Sequence, residues 1–168
     1  LTVGKSVSAS STLAPADGTR TSVQVTINGT NDAALPSSTP APGSPVVHIL
    51  NGIVADGYVA GARIYIDVNG NGNPDGAEDT GMVTDSAGNY ALTTTMQGSI
   101  IAVGGTNIDT GLTNTLVLLA PEGSTVVNPL TTLVQQYVNS TGGSVSAAQA
   151  EAAVEAKLGL PNVDLLNY

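Results

Sequence analysis

Apolar and polar positions along this chain follow one period over most of its length and another near its end. From residue 21 to 27 they alternate, with Val23, Val25 and Ile27 on one face, which predicts a half-buried strand. Residues 35–45 are aperiodic and proline-rich, and prolines favour an extended polyproline path, so this stretch reads as a semi-rigid linker of about 30 Å. From Val46 the period of two returns in short runs punctuated by Gly, Asn and Asp. Strands are predicted over 46–50, 53–59, 62–67, 81–84, 89–94, 99–104 and 115–120.

After Asn128 the apolar spacing lengthens to about three and a half residues. Asn128 as N-cap and Pro129 as first helical residue predict a helix to about residue 139 that buries Leu130, Leu133, Val134 and Tyr137. Ser146-Ala-Ala-Gln149 is a capping box, and it opens an alanine-rich helix that stops at Gly159 and Pro161. The expected organisation has four parts. They are an N-terminal strand segment (1–34), the linker (35–45), a β-sandwich (46–127) and a C-terminal two-helix element (128–168).

Composition sharpens the fold class. The chain has 168 residues with no Cys, Trp or Phe. Its core must therefore use small and β-branched aliphatic side chains, which suit strands packed face to face. The expectation is a mainly β protein, an antiparallel sandwich with a small helical addition. Lacking cysteine, it has no disulfide framework. No apolar run reaches the length of a membrane span and no signal peptide heads the chain, which opens at Leu1 as if within a strand. It reads as an excised or processed piece of something longer.

The formal charge is −9, from 13 acidic residues against 4 Lys and Arg. Lys5, Arg20, Arg63 and Lys157 are scattered, so there is no basic face for a phosphate backbone, and nucleic acid is excluded as an expected partner. Asp56, Asp67, Asp75, Glu78, Asp79 and Asp85 crowd into one stretch, where they repel one another unless cations intervene.

Within that stretch lies the most specific motif. Asp67-Val-Asn69-Gly-Asn71-Gly72-Asn73-Pro-Asp75-Gly-Ala-Glu78 matches the twelve-residue calcium loop, with oxygen-bearing side chains at alternate positions and glycine at the sixth. Calcium is a hard cation that takes six to eight oxygens. The side chains of Asp67, Asn69, Asn71 and Asp75, the Asn73 carbonyl and a bidentate Glu78 would supply most of that shell. The plain alternative is an Asn-Gly surface turn. Extracellular loops of this type hold calcium at roughly 0.1–1 mM, a level found outside cells.

Family resemblances enter through three segments. ADGTRTSVQVTINGTNDAA (16–34) resembles the closing strand of VCBS-type repeats in large bacterial adhesins, which implies a domain border where Asn31 and Asp32 help hold calcium or simply cap a turn. The run from Gly52 to Leu92 is similar to Ig-like, prealbumin-like and carboxypeptidase-regulatory-like sandwiches, and its loop resembles that of the B domains of serine-aspartate repeat adhesins. In those families the calcium loop joins strands, and the resemblance implies a stiffening module. Asp85-Ser-Ala-Gly88-Asn89-Tyr90 matches their hairpin turn, with Asp85 as turn residue or second calcium ligand. The NPLTTLV segment with AAQAEAAVEAKLGLP looks like a tail found after such sandwiches in bacterial secreted repeat proteins, its apolar stripe packing on the sandwich or forming an assembly interface.

Nothing assembles into a catalytic set. His48, the only histidine, lies in an apolar strand-like stretch, no serine sits in a nucleophile elbow, and Gly104-Gly105 lacks the rest of a phosphate loop. Asp75, Glu78 and Asp79 fit cation binding better than carboxylate-pair chemistry. Sugar sites display aromatic platforms, whereas Tyr58, Tyr65 and Tyr90 are placed by the pattern in strands. The Asn28-Gly-Thr30 and Asn139-Ser-Thr141 acceptor patterns are expected by chance in a Ser/Thr-rich chain.

Two non-enzymatic readings follow. In one, the chain is a calcium-stabilised spacer of a secreted or surface-attached bacterial adhesin, with neighbouring domains or subunits of the same protein as partners. In the other it is a fibre subunit, a homopolymer in which residues 1–34 donate a strand to a neighbour's sheet.

Overall fold

The computed structural model describes residues 7–13, 21–27, 45–160 and 162–167. The chain divides into two compact units, Leu1–Ser44 and Pro45–Tyr168. In the first, β1 (Val7–Leu13) and β2 (Thr21–Ile27) pair antiparallel from Val7↔Ile27 to Leu13↔Thr21. Residues 14–20, Asn31, Asp32 and nearly all of the expected linker lie outside the described residues.

The second unit runs β3 (His48–Val54), β4 (Val59–Ala60), β5 (Arg63–Asp67), β6 (Asp79–Val83), β7 (Asn89–Thr94), β8 (Ser99–Val103), β9 (Thr106–Asn107), β10 (Val117–Ala120), β11 (Val126–Val127), α1 (Pro129–Ser140) and α2 (Ala147–Leu158). One sheet has the order β10-β8-β5-β6, a second β11-β3-β7, and β4-β9 forms a short ribbon. Both larger sheets feed one apolar core. Ile64 and Ile66 of β5, Ile100 and Ala102 of β8 and Leu118 and Ala120 of β10 cluster with Val54 of β3, Tyr90 of β7 and Val127 of β11. Burying an aliphatic side chain of this size contributes about 1.5–3 kcal/mol, and many small contributions replace the aromatic ones this chain lacks.

Three strand expectations are corrected. The pairing is not wholly antiparallel, because β11 runs parallel to β3, with the Ile53 and Ala55 N–H groups donating to the Thr125 and Val127 carbonyls at 3.0 and 2.9 Å. Asn51-Gly52, read as a break between strands 46–50 and 53–59, lies inside β3, where Gly52 pairs with Tyr90. A Cβ on Gly52 would stand 2.5 Å from the Tyr90 hydroxyl, so this glycine permits close approach rather than a turn. The expected strand 53–59 is cut by a turn over 55–58, in which Gly57 and Tyr58 take φ of 72° and 38°. Tyr58 is therefore a turn residue and 51% exposed, not a strand residue packed at a core or edge.

Both helices begin with reciprocal capping boxes, Asn128 with Thr131 and Ser146 with Gln149, and α2 closes at Gly159. The inward face of α1 keeps Val134 as expected, with Leu130 and Tyr137 half-buried beside it, but Leu133 is exposed while Thr131 and Gln135 are buried. The cause is the edge of β10, whose outer backbone groups need partners. The Thr131 hydroxyl donates to the Leu119 carbonyl at 2.8 Å, and the Leu119 N–H donates to Thr132 Oγ1 at 2.9 Å. On its other side α1 packs with α2 around Val134, Ala150, Val154 and Leu165.

Candidate metal centre

β5 delivers the first candidate ligand. Ile64 and Ile66 face the core, so Asp67 at the strand end faces the opposite way, beside Ser99, its register partner on β8. Asp67 is nearly fully buried, and Ser99 Oγ donates to its Oδ2 at 3.2 Å. The chain then bends tightly and returns through a single 3₁₀ turn (Gly76–Glu78) into β6.

Backbone N–H groups of the bend converge on the carboxylates. Asn71 N–H donates to Asp67 Oδ1 at 3.1 Å and Gly72 N–H to Asp67 Oδ2 at 2.9 Å, with Gly72 at φ 72°. Glu78 closes the loop, its Oε1 accepting the Val68 and Asn69 N–H groups at 2.9 and 3.1 Å. Asn69 Nδ2 and Asn71 Nδ2 both donate to Asp75 Oδ2, at 2.8 and 2.9 Å. The amide oxygens take backbone donors, Asn69 Oδ1 from Asn71 and Asn71 Oδ1 from Asn73. Asn73 Nδ2 donates to the Asn71 carbonyl at 3.1 Å. Asp67, Asn69, Asn71, Asn73, Asp75 and Glu78 are thus joined in one hydrogen-bonded network with Asn69 and Asn71 at its centre.

One buried atom in that network is unsatisfied. Glu78 is only 4% exposed, and its Oε2 has no hydrogen-bond partner. A buried acceptor left without a donor or cation costs about 1–3 kcal/mol, and more on a charged group. Arg63 does not answer it, because its guanidinium grips Asp79 through Nε and the terminal nitrogen, the latter at 2.7 Å. Hydrogen bonding to Asp79 raises the Arg63 pKa, and the bond from Arg63, followed by that from the Gly81 N–H, lowers the Asp79 pKa.

The donor set fits a hard cation in chemistry, being all oxygen with three carboxylates. Among the described residues no three His, Asp or Glu side chains already form a metal cluster. The amide nitrogens of Asn69 and Asn71 occupy Asp75, and both amides must rotate before their oxygens can serve. Asp85 does not join the loop. Its Oδ1 accepts the Ala87 and Asn89 N–H groups at 2.8 and 2.9 Å, the role of a turn residue, and these bonds, Asn89 foremost, lower its pKa.

Sequence spacing pointed to the loop but not to its surroundings. A cleft of about 430 Å³ beside it is lined by Asp67, Asn69, Ser99, Gln135, Asn139 and Gly142, among others. Ser99, Gln135 and Asn139 come from β8 and α1, and no local motif signals their arrival there. His48 sits on β3 opposite Thr94, away from any nucleophile pattern. No helix among the described residues is long and apolar enough to cross a membrane. No protein-family model, curated protein or solved structure matches this chain.

Proposed function

We propose that this chain is a calcium-stabilised structural module, a spacer within a secreted or surface-attached bacterial adhesin, with an Ig-like or prealbumin-like sandwich as its rigid body. The observation that carries the reading is the buried, unpartnered Glu78 Oε2, enclosed in a loop with Asp67 and Asp75. A bound Ca²⁺ would supply the two positive charges that this oxygen and its neighbours lack. Asp67, Asn69, Asn71, Asp75 and Glu78 side chains and the Asn73 carbonyl would hold it. The loop joins two strands of one sheet, so loading it stiffens β5 against β6 and exposes no new groove, which suits a spacer and not a sensor.

Thermal unfolding of the whole chain in millimolar calcium and in chelator tests this. Binding to the folded state alone stabilises by RT ln(1 + [L]/Kd), about 1.4 kcal/mol at a tenfold excess, and the melting temperature rises accordingly. Replacing Asp67 and Glu78 together by Ala removes the rise. Equal melting with and without calcium in the parent chain counts against the assignment.

The fibre-subunit reading is favoured by one observation, that the described residues of the first unit are two strands alone. A two-stranded hairpin is marginal in water and gains from joining a further sheet. The donated element would then be a hairpin and not a single strand. Electron microscopy of the purified protein separates the two, with filaments supporting donation and monomers at high concentration supporting the spacer.

A further inference from the structure

We infer that the end of helix α1 is part of the calcium centre, with Gln135 and Asn139 as positioning residues, so that the ion fastens the helical element to the sheet body. The inference rests on the calcium reading of the loop and goes beyond it. It makes the ion a clamp between two elements far apart in sequence.

Three features place α1 there. First, the sixth loop position touches it: a Cβ on Gly72 would lie 3.2 Å from Asn139 Nδ2 and 3.8 Å from Leu119 Cδ1. Glycine at this position thus serves both the positive φ of the bend and the closeness of the helix. Second, Asn139 is held in place, since Gln135 Nε2 donates to its Oδ1 at 2.7 Å and Gln135 is itself buried. That bond leaves the Asn139 amide N–H groups facing the loop backbone. Third, the cleft beside Asp67 and Asn69 is walled by Val138, Asn139, Gly142 and Gly143, the last turn of α1 and the residues after it.

Electrostatics give the arrangement its sense. The C-terminal end of a helix carries about half a negative charge, and α1 has no basic residue in its last turn. That end lies against a loop with three carboxylates, and none of the residues lining the cleft is Lys or Arg. Two negative bodies pressed together repel until a cation sits between them. Coupling between sites is reciprocal, so if α1 docking tightens calcium binding, calcium must tighten α1 docking by the same factor.

The test uses the full chain, with calcium chloride as the probe. Hydrogen exchange over residues 139–145 is followed with calcium and with chelator, and calcium affinity is measured by calorimetry for the parent and for Asn139→Ala. The expected result is slowing of exchange over 139–145 by about tenfold on loading, within the usual range of coupling between sites. Asn139→Ala should weaken calcium binding by a similar factor, and its calcium-induced rise in melting temperature, taken from the variant's own value in chelator, should shrink with it, which loss of the Gln135 bond alone would not produce. The exchange measurement needs no variant. If calcium binds the parent but exchange over 139–145 is unaltered, or the variant binds as tightly, the clamp is overturned while the loop assignment stands. If the parent takes up no calcium, the loop assignment falls and the clamp with it.

Discussion

Glu78 reaches back over the loop to Val68, taking its backbone N–H on Oε1 at 2.9 Å while Oε2 remains buried and unpaired. Glu78→Gln keeps an acceptor for Val68 and Asn69 and removes the charge. The variant is expected to fold, to keep about the parent's stability in chelator because a buried charge is exchanged for an amide NH2 that likewise lacks a partner, and to lose the calcium response. Melting curves with and without calcium check this, and a parent-sized calcium shift in the variant would refute the role of Glu78.

Gly52 and Tyr90 cross closely at the core. A Cβ on Gly52 meets the Tyr90 hydroxyl at 2.5 Å and the Thr125 carbonyl at 2.8 Å, so Gly52→Ala should destabilise by about 1–3 kcal/mol in urea unfolding.

The same tyrosine sets an alkaline limit. Its hydroxyl is buried without a partner, and burial pushes its pKa up from 10.0 to about 12. A group whose folded value is raised contributes stability that is present below the unfolded value and lost as pH rises through the folded one. Stability should therefore decline between pH 10 and about 12, and Tyr90→Phe should blunt that decline. Near neutrality Tyr90→Phe should be neutral or stabilising by about 1 kcal/mol, because it removes an unmade hydrogen bond.

Asp85 behaves with the opposite sign. Its folded pKa lies below 3.8, held there by the Asn89 and Ala87 N–H groups, so its contribution is present above 3.8 and lost as pH falls through the lowered value. Asp85→Asn should destabilise near pH 7 and less at a pH below the lowered value, where the parent's carboxyl is protonated as well. An equal loss at both pH values would assign the effect to turn geometry and not to charge.

Thr131 ties α1 to the sheet edge. It is fully buried, with its hydroxyl on the Leu119 carbonyl, so Thr131→Val keeps the shape, leaves that carbonyl only the longer bond from the Thr132 hydroxyl at 3.3 Å, and strips the Asn128 N–H of its acceptor. The expected cost is about 1–3 kcal/mol, and Asn128→Ala should add about 1 kcal/mol through loss of the cap. Chemical denaturation of the single variants measures both.

What could be read from the chain alone was local. Asn128-Pro129 and Ser146-Ala-Ala-Gln149 act within one helical turn, and both helices start where those signals lie. The strand expected over 62–67 likewise ends where β5 ends, at Asp67, the first residue of the loop. What could not be read depends on residues distant in the chain. Asn51-Gly52 has the composition of a turn, yet Tyr90 needs a residue without a side chain opposite it, so the strand continues. Leu133 has the spacing of a core residue, yet the open edge of β10 draws Thr131 and Thr132 inward and turns Leu133 out. The loop's own oxygens could be listed from the sequence, whereas Ser99 and Asn139 reach it through sheet register and helix docking.

A crystal structure of the chain grown in millimolar calcium bears most directly on the central claim. The account predicts one ion inside the bend after Ile66, with oxygens of Asp67, Asp75 and Glu78 at about 2.3–2.6 Å and the amides of Asn69 and Asn71 turned so that their oxygens face it. A well-ordered loop without an ion, its two asparagine nitrogens still on Asp75, would contradict it.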